Sequence, residues 1–147
     1  MFKKTVTMIL AAGTLVLGGC ASNGDQAADT GDFGGKAIFL RGEMNDWQAL
    51  DESKVVQVSD KVYMAKGTLK KEWAPYKFKF ADANWSCGTN YGYASPSDGV
   101  ASLGGAPVPA NPCSKYEDMK FSPEADGVYE FYLDLNGEQP TVYVKKP

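Results

Sequence analysis

The stretch Tyr76-Lys77-Phe78-Lys79-Phe80 (residues 76–80) alternates strictly, with an aromatic ring at every other position and a lysine between. Successive side chains of an extended chain point to opposite faces, so this run predicts a half-buried strand with three rings on one side and both lysines on the other. Similar short runs lie on either side of it. Ala37-Ile38-Phe39-Leu40-Arg41 is mostly apolar and stops at Gly42. Residues 54–58 and 62–65 are joined by the turn-like Ser59-Asp60-Lys61. Residues 128–135 put Tyr129, Phe131, Leu133 and Leu135 on one side, Asn136-Gly137 forms a turn, and residues 141–144 make the last strand. No segment carries a helical stripe of useful length. Many short strands separated by turns, in a chain of this size, predict an all-β protein built as a β-sandwich. Its core is expected from Phe39, Val56, Phe78, Phe80, Tyr129, Phe131, Leu133 and Val142 or their neighbours. Between Gly88 and Pro112 glycine, asparagine and proline dominate, which predicts a loop-rich excursion with Cys87 and Cys113 at its ends.

The start of the chain has a different chemistry. Lys3 and Lys4 precede a mostly apolar, uncharged run over residues 5–17, and Gly18-Gly19 stand immediately before Cys20. A cationic start and a run too short to span a bilayer comfortably predict a secretory signal. With Leu17 upstream, the small residues before Cys20 resemble a bacterial lipobox. Residues 1–19 are therefore expected to be a lipoprotein signal peptide and Cys20 the acylated (palmitate-type) first residue of the mature chain. Residues 20–35 then form the lipidated cysteine and a flexible, glycine-rich tether with a reach of about 20 Å, and residues 36–147 form the folded domain. Ala21 occupies the place where aspartate favours inner-membrane retention in Gram-negative relatives. The expected location is thus the bacterial cell envelope, lipid-anchored at the outer membrane.

The first twenty residues hold two of the fifteen basic residues and none of the eighteen acids, so the remainder is clearly acidic. An acidic chain without a lysine- or arginine-rich stretch offers no phosphate-binding patch, and nucleic acid is not an expected partner. Cys87 and Cys113 remain as an even pair in an oxidising compartment, which favours a disulfide over a two-cysteine metal site. The absence of histidine argues against zinc and removes Ser-His and Cys-His catalysis. No metal or cofactor is expected. Glu43, Asp46, Asp51 and Asp82 would have to supply a glycosidase-like carboxylate pair, but acids at such positions more commonly form solvated turns. A non-catalytic role is expected. Trp47 follows Met44-Asn45-Asp46 and Trp85 follows Asp82-Ala83-Asn84, both turn-like stretches, so each indole either offers a flat face for a sugar ring to stack on or caps the open end of the sandwich.

Phe39-Leu40-Arg41-Gly42-Glu43-Met44-Asn45-Asp46-Trp47 resembles the strand, Gly, x, apolar, Asn, x, Trp opening of the glycogen- and starch-binding modules. Those modules accompany pullulanases, isoamylases and branching enzymes and occur in AMP-activated kinase β subunits. Residues 76–85, a Tyr-Lys-Phe strand running into a turn and Trp85, are similar to the second motif of that family. Residues 127–131 and 140–144 are similar to its closing strands. The resemblance covers roughly residues 36–147. It implies an immunoglobulin-like β-sandwich of the early-set type that binds α-glucan, as polysaccharide or oligosaccharide. Trp47 and Trp85 would be stacking platforms and Lys77 a donor to sugar hydroxyls, with Lys79 a weaker candidate on the same face. Asn90 and Tyr91 would line the groove. Glu117 and Asp118 stand where kinase-type modules supply an asparagine, a departure from the pattern. A separate amylase, pullulanase or porin is an implied companion. The alternatives are an envelope lipoprotein that uses the same sandwich to bind another protein and, more remotely, a small glycan-acting enzyme.

Overall fold

The computed structural model describes residues 31–147. The signal segment, Cys20 and most of the tether lie outside the described residues. Among the described residues there are ten strands: β1 (Phe39–Gly42), β2 (Val56–Ser59), β3 (Val62–Leu69), β4 (Tyr76–Ala81), β5 (Asn90–Tyr93), β6 (Val100–Ala101), β7 (Val108–Asn111), β8 (Met119–Phe121), β9 (Gly127–Asp134) and β10 (Thr141–Lys145). They form one continuous sheet in the order β2-β3-β9-β10-β7-β5-β4-β8-β6, with β1 also paired to β4. β5 and β7 pair with each other and carry the sheet from one layer to the other, so it folds over on itself as an immunoglobulin-like sandwich.

The alternation of residues 76–80 is realised: Tyr76, Phe78 and Phe80 are buried between the layers, and the lysines face away from them. Phe78 and Phe121 meet Phe131 edge to face, with ring centroids 4.9 and 5.7 Å apart. Tyr129 sits near the start of β9, where its hydroxyl donates to the Ala125 carbonyl (2.7 Å) and accepts from the Ala125 N–H (3.2 Å). This is the corner arrangement that immunoglobulin-like domains use to place a tyrosine ring in the core without stranding its polar end.

Four expectations change. Val56 is half exposed and its neighbour Val55 is buried instead. Val56 is in register with Met64, then Tyr132, then Tyr143, and all four line the outer face of that layer. Phe39 is buried but stands opposite Ala81 on the side away from the core, where Ile38 and Leu40 take its expected place. The excursion between Gly88 and Pro112 contains β5, β6 and β7, which the glycine- and proline-rich composition conceals because the strands are only two to four residues long. Phe33 lies within the stretch read as tether, yet it is 4% exposed and packs on Tyr63 at 4.6 Å between ring centroids. The compact unit therefore starts a few residues earlier than composition suggests, since one buried ring outweighs the flexibility of its glycine neighbours.

Candidate functional site

The site is built on one cross-strand rung. Arg41 of β1 pairs with Lys79 of β4, and Asp118 stands one step beyond the last β4–β8 pair, Phe78 and Met119. All three side chains point away from the core. Two cations directly opposite each other repel, so the acids around them have a defined task. The Lys79 ammonium lies 3.6 Å from Asp118 Oδ1 and donates to the Lys115 carbonyl at 2.6 Å. Burial pushes Lys79 below the ordinary lysine value, and Asp118, with Glu117, restores part of that.

Arg41 joins the two tryptophan turns. Its Nε donates to the Trp47 carbonyl (2.7 Å), and its Nη1 donates to the carbonyls of Asp82 (2.8 Å) and Ala83 (3.1 Å). The guanidinium carbon lies 3.6 Å from the centroid of the Trp85 ring. One planar, permanently charged fork thus holds the backbone of both turns and stacks on one of the indoles.

The sequence around each turn accounts for its shape. Gly42 approaches β4 so closely that a Cβ would lie 2.5 Å from the Lys77 carbonyl oxygen, so no larger residue fits without displacing β1. The Asn45 side chain accepts from the Gly42 N–H (2.9 Å) and donates to the Leu40 carbonyl (2.8 Å), and the Trp47 N–H returns to the Gly42 carbonyl (2.9 Å). The spacing of glycine, asparagine and tryptophan is therefore the hydrogen-bond pattern of one turn. In the second turn the Asp82 carboxylate accepts from the backbone N–H and the hydroxyl of Ser86, each at 2.7 Å. Burial raises the Asp82 carboxyl, but the Ser86 bonds, the charge of Lys36 and the Asn84 N–H outweigh it and hold the group below its usual range. Asp82 is a turn builder, which removes it from the possible catalytic carboxylates. Trp47 (φ 60°) and Trp85 (φ 56°) both adopt the left-handed conformation. Bulky residues rarely do so, and such strain concentrates at binding sites.

The result is a cleft of about 360 Å³ lined by Trp47, Trp85, Lys79, Asn90, Ser114, Lys115, Tyr116 and Asp118. The indole centroids are 6.2 Å apart and the ring planes meet at 52°, a tilted pair rather than a coplanar one. Trp85 is 37% exposed and Tyr116 is 91% exposed. This geometry offers apolar faces for stacking, with the paired Lys79 and Asp118 side chains among the lining groups.

Of the residues singled out in the sequence, Trp47 and Trp85 come together. Lys77 is exposed on the same face as Lys79 but does not line the cleft; of the two β4 lysines it is Lys79 that does, because its rung carries Arg41 and Asp118. Asn90 reaches the cleft but is 3% exposed, and its side chain is clamped to Ser114: its amide donates to the Ser114 carbonyl at 2.9 Å and its Oδ1 accepts from the hydroxyl at 3.2 Å. Tyr91 is corrected: it is 4% exposed and points into the core, 6.4 Å from the Phe33 ring, because it follows Asn90 on an alternating strand. Asp118, where the family pattern has an asparagine, lines the cleft. Tyr116 was missed; a lone tyrosine in a loop gives no periodic signal. Cys87 and Cys113 form the expected disulfide, which closes the base of the loop carrying β5 to β7.

No family model and no curated protein matches the chain. Among solved structures it is similar to one described as the ligand-induced structure of AmyP-SBD, a starch-binding domain, with 20% identity and a TM-score of 0.54 over 100% of this chain and 97% of that one. At this identity the likeness establishes the fold: the chain is an all-β, immunoglobulin-like sandwich.

Proposed function

We propose that the chain is a non-catalytic module that binds α-glucan, of the starch or glycogen kind, and is held at the bacterial cell envelope through lipid on Cys20. The observation that carries the binding reading is the tilted pair of Trp47 and Trp85 lining one cleft with Lys79 and Asp118. A pyranose has an apolar face and a polar rim. Indoles set at 52° match successive rings of a curved α-1,4 chain better than the flat ribbon of a β-1,4 chain, and the ammonium and carboxylate can bond the hydroxyls. The similarity of the fold to that of a starch-binding domain supports the same reading. Membrane attachment rests on the lipobox-like residues 17–20 alone. A companion amylase, pullulanase or porin would use the glucan this module captures.

Affinity electrophoresis through gels containing amylose or glycogen tests the proposal. The parent chain is expected to be retarded, and Trp47→Ala and Trp85→Ala to migrate freely while keeping their circular dichroism. Migration unchanged by glucan in the parent would remove the carbohydrate reading and leave the aromatic cleft to a protein partner.

A further inference from the structure

A second cleft, of about 520 Å³, shares Trp47 with the first and is also lined by Glu43, Asp46, Trp73, Ala74, Pro75 and Tyr76. Trp73 is 64% exposed, against 37% for Trp85. An exposed indole leaves a large apolar face in water, and nothing in the core argument accounts for it.

The segment carrying Trp73 is held in place. The Tyr76 hydroxyl accepts from the Lys70 N–H (2.8 Å) and donates to the Lys70 carbonyl (3.1 Å). The Lys71 N–H donates to Asp126 Oδ1 (2.9 Å), and the Trp73 and Ala74 N–H groups close a tight turn on Lys70 and Lys71. Glu43 is oriented as well, because its Oε2 accepts from the Lys77 N–H at 2.8 Å, and its side chain lines the cleft. A held backbone segment and an oriented carboxylate lower the ordering cost of binding.

We infer that Trp73, with Glu43 and Asp46, forms a second sugar-stacking subsite continuous with the first through the shared wall of Trp47, so that the module takes a glucan chain spanning several units. The inference rests on the glucan reading of the Trp47–Trp85 cleft and extends it from a sugar class to a chain length. Trp85, Trp47 and Trp73 then follow one another along the surface. A short oligosaccharide fills only the first cleft, and a longer one runs past Trp47 onto Trp73.

Calorimetric titration of the parent and of Trp73→Ala with maltotriose and with maltoheptaose tests the inference. The parent is expected to bind maltoheptaose more tightly. Trp73→Ala is expected to lose about fivefold to tenfold in affinity for maltoheptaose, the scale of one partly exposed aromatic contact, and to be unchanged for maltotriose. Trp73→Phe is expected to recover part of the loss. Equal affinities of parent and Trp73→Ala for maltoheptaose, with Trp47→Ala still abolishing binding, would overturn the second subsite and leave the first standing. No binding of either sugar by the parent would overturn both.

Discussion

Arg41, Lys79 and Asp118 show how much one rung of a sheet can organise. Arg41 fixes both tryptophan turns by hydrogen bonds to three carbonyls, and Lys79 beside it is paired with Asp118 in a nearly closed position. Lys77 is two residues away on the same strand and has the same chemistry, but it is solvated. The two lysines should therefore behave differently on substitution. Lys79→Met is expected to destabilise the fold by about 2 kcal/mol in urea unfolding, less than for a fully buried pair because Asp118 is 29% exposed. It should also weaken glucan binding about tenfold or more. Lys77→Met is expected to leave both within error, and equal losses for the two variants would show that the rung has no special role. The αL conformation of Trp47 and Trp85 belongs to the same scale: backbone strain is accepted at both positions where an indole must face the cleft.

The elements that matter most for the site are the short ones. β5 and β7 carry the sheet between layers, and β5 brings Asn90 against Ser114 at the edge of the cleft. The Cys87–Cys113 bond closes the intervening segment at a sequence separation of 26. Closing a loop of that size removes about 3.5 kcal/mol of chain entropy from the unfolded state in the chain-entropy model. Replacing both cysteines by serine is expected to lower the unfolding free energy by about 2–4 kcal/mol, read from denaturant midpoints. Adding reductant to the parent should reproduce the loss. A double variant as stable as the parent would mean that β5 and β7 hold the loop unaided. These strands could not be read from glycine, proline and asparagine content, because their pairing comes from distant strands rather than from local propensity. β4 and β9 were legible because they are long enough to alternate and are half buried along their length.

Across the whole molecule the two layers differ in use: one presents the aromatic cleft, and the other carries a row of Val56, Met64, Tyr132 and Tyr143 on its outer face. Tyr132 and Tyr143 stack with centroids 4.7 Å apart, and Tyr132 donates to Glu130 at 2.7 Å. Two phenols are pushed up from 10.0 to about 12, Tyr132 chiefly by that hydrogen bond and Tyr91 chiefly by burial. Phenols whose folded value is raised contribute stability that is complete below the unfolded value near 10 and is lost as pH rises through 12. Tyrosinate absorbance is therefore expected to show a late pair of ionisations near 12, coupled to alkaline unfolding. Glu130→Gln should bring Tyr132 down and leave Tyr91 in place, whereas a single titration at the ordinary value would contradict both environments. The all-β class, the alternation of β4 and β9, the turn pattern from Gly42 to Trp47 and the pairing of the last two cysteines were determined by the sequence alone, because each depends on local periodicity, turn chemistry or simple counting. Only the tertiary structure decided that Lys79 rather than Lys77 floors the cleft, that Tyr91 and Phe33 belong to the core, and that Tyr116 and Trp73 stand beside the paired indoles. Those outcomes depend on which strands lie side by side and in what register, a property of the folded sheet that no single segment contains.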